Sequence, residues 1–193
     1  MPLPEPVPRE PVHSREIQCR GYRRADGLWD IEGRLVDTKA YPFTNAFRGE
    51  IPSGEPLHAM WLRLTVDDEL VVRDVVAVTD AGPYAVCPAI TPAFATLKGV
   101  RIGPGWRREV LGRLGGVKGC THLVELLWPL ATAAYQTVYP ILARERPAVA
   151  QDRPPVHLDS CHALARDGDV VRRHHPRWYN GPLREEDGSA GGG

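Results

Sequence analysis

The chain lacks an excess of charge of either sign, because Lys plus Arg and Asp plus Glu both count 24 in its 193 residues. Proteins that bind nucleic acid or anionic membranes by electrostatics usually carry a basic excess. The sequence also lacks an apolar run of about 20 residues, the length that spans a bilayer. It therefore predicts neither a nucleic-acid nor a membrane partner, and it leaves a protein partner open.

A secretion signal and a dense cysteine framework are also missing. Residues 1–8 lack the basic and apolar regions of a signal peptide, so we expect a cytoplasmic protein. The four cysteines are scattered and form no Cys-x-x-Cys pair: Cys19, Cys87, Cys120 and Cys161. In a reducing compartment they are expected to be free thiols or metal ligands rather than disulfides.

Alternating apolar and polar residues come first in the chain, and helical periodicity comes later. Residues 15–37 alternate around the turn signal Asp26-Gly27, and residues 57–66 and 70–79 form a second pair of predicted strands. Helical patterns follow at 106–114 and 121–144. This order predicts an α+β fold, with a small antiparallel sheet of two hairpins and helices packed on one face.

The ends of the chain differ in composition from its middle. We expect a single α+β domain over residues 13–146, preceded by a disordered proline-rich arm at 1–12. A C-terminal segment at 147–182 is predicted to pack on that domain. The low-complexity tail at 183–193 is predicted to be disordered.

The strongest local signal is a glycine-rich loop that runs into the long predicted helix. Cys120 and His122 lie where this helix begins, and Thr121 is the expected N-cap. The positive end of a helix dipole stabilises a thiolate. This placement favours Cys120 as a reactive thiol or a metal ligand.

Four Cys and His residues, each at a break or the end of an element, are the predicted metal ligands: His58, Cys87, Cys120 and His122. Such a donor set suits zinc or an iron–sulfur cluster. The alternative is structural: Cys87 would be a small buried hydrophobe and His58 a surface residue at a strand end.

Two other functions stay open at this point. Cys120 could be the nucleophile of a hydrolase that acts on an acyl thioester, with His122 or His162 as its base. The chain could instead be a binding module without catalysis that uses residues 38–56 and its tail. The segment His157-Leu-Asp-Ser-Cys-His could also be purely structural, with Asp159 or Ser160 capping a short helix.

A set of distinctive motifs extends from about Cys19 to Tyr179: Arg20-Gly-Tyr-Arg-Arg, Asp26-Gly-Leu-Trp-Asp-Ile-Glu-Gly, Gly54-Glu-Pro-Leu-His, Cys87-Pro-Ala-Ile, Ile102-Gly-Pro-Gly-Trp, Gly119-Cys-Thr-His-Leu and Leu158-Asp-Ser-Cys-His. In these motifs the chain resembles an uncharacterised bacterial domain family of unknown function, DUF2889. The resemblance implies almost no biochemistry.

Residues 54–144 are also similar in layout to iron–sulfur scaffold proteins of the IscU/NifU type. Pro56 stands where those proteins have their first cysteine, and His58 stands at their aspartate. Cys87 and Cys120 lie at the second and last cysteines, with His122 just inside the helix. The resemblance implies an IscU/NifU-like core. Since only two of the three cysteines remain, it favours a mononuclear zinc site over a two-iron cluster.

Overall fold

The computed structural model describes residues 3–146, 154–155 and 157–182. The chain divides into two compact units, Met1–Leu142 and Ala143–Gly193. The strands are β1 (His13–Arg23), β2 (Trp29–Lys39), β3 (Phe43–Asn45), β4 (Gly49–Ile51), β5 (Pro56–Val66) and β6 (Val72–Ala81). The α-helices are α1 (Trp106–Leu114), α2 (Thr121–Glu145) and α3 (Asp169–His174), and 3₁₀ helices span Cys87–Leu97, Gly116–Lys118, His162–Leu164 and Pro176–Trp178.

The predicted α+β fold is confirmed. Strands β1, β2, β5 and β6 form one antiparallel sheet in that order, built from the two predicted hairpins. Strands β3 and β4 form a separate small hairpin inside residues 38–56, where the sequence predicts only a loop. In the described part of the chain, no helix is both long enough and apolar enough to cross a membrane.

One face of the sheet carries the core. Alternate residues of β2 and β5 point toward this face, as the period of two in a strand requires. The buried members of these two rows are Trp29, Ile31 and Leu35 on β2, and Met60, Leu62, Leu64 and Val66 on β5. The apolar stripe of α2 covers them with Leu123, Leu126, Leu127, Leu130, Ala134 and Val138.

Two glycines in the sheet let α2 approach closely. A Cβ added at Gly33 would lie 3.0 Å from a methyl carbon of Leu126, and one added at Gly21 would lie 1.9 Å from the hydroxyl of Thr137. Gly21 pairs with Ile31, which precedes Gly33 in β2. Because Gly33 lies under Leu126 and Gly21 under Thr137, α2 runs from the end of β2 toward its start. Its N-terminal turn lies over the end of β2 and the start of β5.

Strand β1 is an edge strand and is mostly exposed. The alternation in the sequence suggests that Ile17 and Tyr22 are buried, which is wrong: their exposed fractions are 43% and 42%. Of the residues in β1, only Cys19 is half-buried. An edge strand has a neighbour on one side only, so its side chains keep more contact with water.

The predicted boundaries of the segments outside the sheet and its helices stay predictions. Residues 3–12 form no helix or strand and are exposed, while their disorder stays a prediction. In the second unit the described residues form the short helices named above. The predicted packing of 147–182 on the domain is untested, and the predicted tail at 183–193 lies outside the described residues.

Candidate functional site

Three potential ligands from three different elements meet at one end of the core-facing surface. Asp37 is near the end of β2, His58 is near the start of β5, and His122 is in the first turn of α2. Asp37 and His58 are direct partners in the β2–β5 ladder. One ligand atom from each residue lies within 4.8 Å of the other two, so we call Asp37, His58 and His122 the three-donor cluster.

Asp37 is the buried centre of this cluster, with only 1% of its surface exposed. Arg15 of β1 holds it with two hydrogen bonds, from Nε to Oδ1 at 2.7 Å and from Nη2 to Oδ2 at 2.8 Å. His58 Nδ1 lies 2.9 Å from the same Oδ2. Arg15 also forms an ion pair with Glu125 in α2, which links β1, β2 and the helix.

The surroundings of Asp37 keep it ionised. Burial acts to raise the pKa of Asp37, but the hydrogen bonds and charge of Arg15 outweigh it, with His58 adding to their effect. The pKa of the carboxyl group is therefore held below its usual value. A buried carboxylate with this support is a strong acceptor for a histidine N–H or a ligand for a cation.

The two histidine rings of the cluster stack on each other. Their centroids are 3.7 Å apart with the ring planes at 31°, and His122 Nε2 lies 3.8 Å from Asp37 Oδ2. Burial lowers the pKa of both histidines, and nearby positive charge lowers it further: His122 acts on His58, and Arg15 acts on His122. Both imidazoles are thus neutral at neutral pH, with a nitrogen lone pair available to a metal or a proton.

Cys120 lies beside the cluster. The carbonyl of Cys120 accepts the first helical hydrogen bond, from Val124 N at 2.8 Å, so Cys120 takes the cap position predicted for Thr121, the first residue of α2. Its Sγ is 4.0 Å from His122 Nδ1. The structure therefore places His58, Cys120 and His122 near one another. Whether these residues bind a metal stays a prediction.

Cys87 lies toward the same end of the sheet without joining the three-donor cluster. Cys87 begins the 3₁₀ helix after β6. A Cβ added at Gly82 would lie 3.0 Å from the Cβ of Cys87. Gly82 follows Ala81, which pairs with Ala59 next to His58. Among the described residues, the atoms that meet within 4.8 Å are those of Asp37, His58 and His122, so a ligand role for Cys87 stays a prediction.

His162 belongs to the second unit, where it begins a short 3₁₀ helix and is exposed. Its neighbour Asp159 accepts a hydrogen bond from Arg166 N at 2.9 Å and forms an ion pair with the Arg166 side chain. Asp159 thus closes its own turn, but the prediction that Asp159 or Ser160 caps the short helix is wrong: Cys161 takes the cap position, and no side chain donates or accepts a cap hydrogen bond there. The catalytic role of His162 remains untested.

Sequence reasoning missed Asp37 and Arg15, although a signal for Asp37 exists. Asp37 continues the inward-facing row of Trp29, Ile31 and Leu35, and an acidic residue in such a row needs a partner. A two-residue turn at Asp26-Gly27 would pair Asp37 with Glu16, whereas the observed loop, residues 24–28, pairs it with Arg15. The sequence pattern alone therefore does not identify Arg15.

Comparisons with known proteins give one match. A family model described as "Protein of unknown function (DUF2889)" matches residues 13–136, which include all of the sheet and the three-donor cluster. No curated protein and no solved structure matches the chain. The similarity in layout to the IscU/NifU scaffolds therefore stays a prediction.

Proposed function

The chain belongs to the DUF2889 family of proteins of unknown function, and we propose that it is a metal-binding accessory protein of the cytoplasm. In this proposal Asp37, His58 and His122 hold a single divalent ion. The observation that carries it is the convergence of three ligand atoms from β2, β5 and α2 within 4.8 Å of one another.

The spacing of the donors supports a metal site. Zinc–nitrogen bonds of about 2.0–2.1 Å in a tetrahedral site place neighbouring donors about 3.3–3.4 Å apart. The distances from Asp37 Oδ2 to His58 Nδ1 and to His122 Nε2 are 2.9 and 3.8 Å, which lie on either side of that value. The two rings would have to leave their stack, with centroids 3.7 Å apart, to direct one nitrogen each at a common ion.

The chemistry of the donors favours zinc over an iron–sulfur cluster. The cluster offers one carboxylate and two imidazoles, whereas iron–sulfur clusters are held mainly by thiolates. Cys120 is the nearest thiol, at 4.0 Å from His122 Nδ1, whereas the His122 nitrogen that faces Asp37 is Nε2. In this proposal Cys120 supplies the fourth ligand after the His122 ring has turned. Cys87 serves as a further ligand only if its segment moves toward the cluster.

Arg15 is the counterion of the metal-free site. A zinc ion and the guanidinium group would compete for Asp37, because both are cations that bind its carboxylate oxygens. Glu125 offers Arg15 a second carboxylate at the mouth of the site. We therefore expect metal binding to weaken the contact between Arg15 and Asp37 while the contact with Glu125 holds Arg15 in place.

The cytoplasmic location rests on the cysteines. All four cysteines are free thiols in the structure. Free thiols are retained in a reducing compartment. An accessory role implies a protein partner that delivers or receives the ion.

The test is metal analysis of protein purified without oxygen, with an absorption spectrum to detect iron–sulfur chromophores. The proposal predicts one zinc ion per chain in the wild type. His58→Gln and His122→Gln should each lose it, because each removes a ligand with little change in side-chain volume. Cys19→Ala and His162→Ala are controls and should keep the wild-type content. Equal zinc content in all five proteins would overturn the proposal.

A second function is favoured by a different pair of distances. Cys120, His122 and Asp37 lie in a row in space. Cys120 Sγ is 4.0 Å from His122 Nδ1, and His122 Nε2 is 3.8 Å from Asp37 Oδ2. This order is the arrangement of a nucleophile, a base and an orienting carboxylate. In a thioester hydrolase His122 would take the proton of Cys120, and the thiolate would attack the acyl carbonyl. The C–S bond of the substrate would then break, and His122 would give the proton to the leaving thiolate. A water molecule deprotonated by His122 would hydrolyse the acyl-Cys120 intermediate, which releases the carboxylic acid and restores the Cys120 thiol.

The two functions predict opposite behaviour of Cys120. A metal ligand is protected from alkylation when zinc is bound, and thioester hydrolysis stays at background. A nucleophile hydrolyses an acyl thioester in the presence of a chelator, and Cys120→Ser abolishes that activity. Measuring both rates with and without a chelator separates the proposals.

A further inference from the structure

Among the described residues, none pairs with the outer edge of strand β1. Val12 O accepts a hydrogen bond from Ala40 N at 3.2 Å, and Arg24 N donates one to Leu28 O at 2.9 Å. Since hydrogen-bonded pairs alternate along an antiparallel ladder, the even-numbered residues of β1 face β2. The N–H and C=O groups of the odd-numbered residues from His13 to Arg23 therefore point away from the sheet.

Strand β1 lacks several of the usual protections of an edge strand. Natural edges are commonly blunted by charged side chains, above all lysine, or by proline, bulges or a covering segment. Strand β1 does carry charges, at Arg15, Glu16, Arg20 and Arg23. The sequence from His13 to Arg23 contains neither proline nor lysine, and its pairing with β2 runs through 11 residues without a register shift. The opposite edge differs, because Val72 at the start of β6 exchanges hydrogen bonds with Gly99 and Val100.

We propose that β1 is a homodimer interface, in which a second copy of this chain adds its own β1 antiparallel to the free edge, with the twofold axis at Gln18. This inference is independent of the proposed metal site. Pairing of the two edges would join two four-stranded sheets into one sheet of eight strands. Strand addition of this kind satisfies the open backbone groups of both copies.

The charges on β1 select this register. With the axis at Gln18, Glu16 of each copy lies opposite Arg20 of the other, so the dimer contains this pair twice. Within the described part of the chain, neither Glu16 nor Arg20 has an ion-pair partner, and both are exposed. Moving the axis to Ile17 or Cys19 separates Glu16 from Arg20. Opposite charges across a ladder stabilise it, and like charges destabilise it.

The apolar residues of β1 agree with the same register. Ile17 of one copy lies opposite Cys19 of the other, on the face of the sheet that carries the core. Ile17 is 43% exposed in the single chain, which is unusual for an isoleucine in a strand. Pairing would bring two isoleucines and two cysteines together across the axis and remove their exposed apolar surface from water.

The test is sedimentation velocity on the full chain across a range of concentrations. The wild type should dimerise. Glu16→Arg and Arg20→Glu should each weaken association at least tenfold, because each places like charges opposite each other twice. The double variant, Glu16→Arg with Arg20→Glu, should recover association to near the wild-type value. Thermal unfolding of each variant provides the folding control.

A cysteine placed on the axis tests the geometry directly. Gln18→Cys should form a disulfide between copies under mild oxidation, because residues opposite each other in such a pair lie about 4.5 Å apart at Cα. Ser14→Cys is the control. Its two copies would lie eight strand positions apart, about 26 Å, and should not cross-link to each other.

Three results would overturn the proposal. A wild type that stays monomeric at all concentrations excludes the interface. A dimer that is unaffected by Glu16→Arg and Arg20→Glu uses another surface. A dimer weakened by each single change but not restored by the double variant, or cross-linked through Ser14→Cys instead of Gln18→Cys, has a different register.

Discussion

The two ends of the core-facing surface share the same strands but differ in chemistry. At one end, Trp29, Ile31 and Leu64 are buried against apolar neighbours. At the other end, the same rows of β2 and β5 finish in Asp37 and His58, which are also buried. The apolar end gains stability from the removal of surface from water, whereas the polar end can be buried only because each charged group has a partner.

If the proposed metal site is correct, this difference separates stability from ion binding within one sheet. Substituting the apolar end should change folding and leave the polar cluster intact. Substituting the polar end should change ion binding and the pH dependence of stability. The predictions below test that separation, in decreasing order of expected effect.

Leu64→Ala should produce the largest loss of stability. Leu64 is fully buried in the row opposite α2, and removing a buried leucine side chain costs about 2–5 kcal/mol. Urea unfolding monitored by circular dichroism measures this. Zinc affinity should change by less than about twofold, since six strand residues, about 20 Å, separate Leu64 from His58. A large loss of affinity would show that the two ends are not separable.

Arg15→Met should destabilise the metal-free protein by about 1–3 kcal/mol, because it leaves the buried carboxylate of Asp37 with one hydrogen-bonding partner fewer. The matched control is the double variant Arg15→Met with Asp37→Asn, which removes the buried charge and should recover part of the loss. Urea unfolding in a chelator provides the measurement. If the loss of unfolding free energy in the double variant equals or exceeds the sum of the losses in the two single variants, the ion pair is not the source of the effect.

Acidification should destabilise the metal-free protein below about pH 6.5. Burial lowers the pKa of His58 and His122 in the folded state, so the unfolded chain takes up protons first. Stability must therefore fall as pH drops from the ordinary histidine value toward the lower folded values. Asp37, whose pKa is also lowered in the folded chain, adds a further loss when it is protonated at lower pH.

Unfolding free energies measured between pH 8 and 5 test whether stability falls on acidification. The double variant His58→Gln with His122→Gln should show a flatter profile than the wild type over this range. Stability that rises on acidification in the wild type would mean that the histidines gain stability from protonation, which contradicts the burial argument.

Glu125→Gln should have the smallest effect. The contact between Arg15 and Glu125 lies at the surface, with 44% of the Glu125 side chain exposed, and exposed ion pairs contribute about 0–1 kcal/mol. We expect a change within that range by urea unfolding at low salt, and a smaller one at high salt. A loss of unfolding free energy as large as that of Arg15→Met would show that Glu125 of α2, rather than Asp37, is the main partner of Arg15.

The contrast between the two ends also explains what the sequence could predict. Period-two alternation was sufficient for both hairpins, with the Asp26-Gly27 turn as a further signal for the first, and helical periodicity was sufficient for α1 and α2. The same alternation places Asp37 on the inner face, so that residue was within reach of the sequence. The meeting of His122 with Asp37 was not, because it depends on how closely α2 packs over Gly21 and Gly33.

Other features depend on contacts that no local pattern encodes. The exposure of Ile17 follows from the position of β1 at the edge of the sheet, which alternation alone does not reveal. The cap position of Cys120 differs from the predicted cap at Thr121 by one residue, a common error at helix ends. The position of Cys87 relative to the cluster depends on the path of the chain after β6.

Cobalt(II) binding to the chelator-treated protein tests the central claim most directly. We predict visible absorption bands of a four-coordinate ion at one equivalent, and a near-ultraviolet band from cobalt–thiolate bonding that Cys120→Ser removes. His58→Gln should lose both sets of bands, while Leu64→Ala should retain both. A spectrum that matches free aqueous cobalt in the wild type, or one unchanged by His58→Gln, would contradict a metal site at the polar end of this sheet.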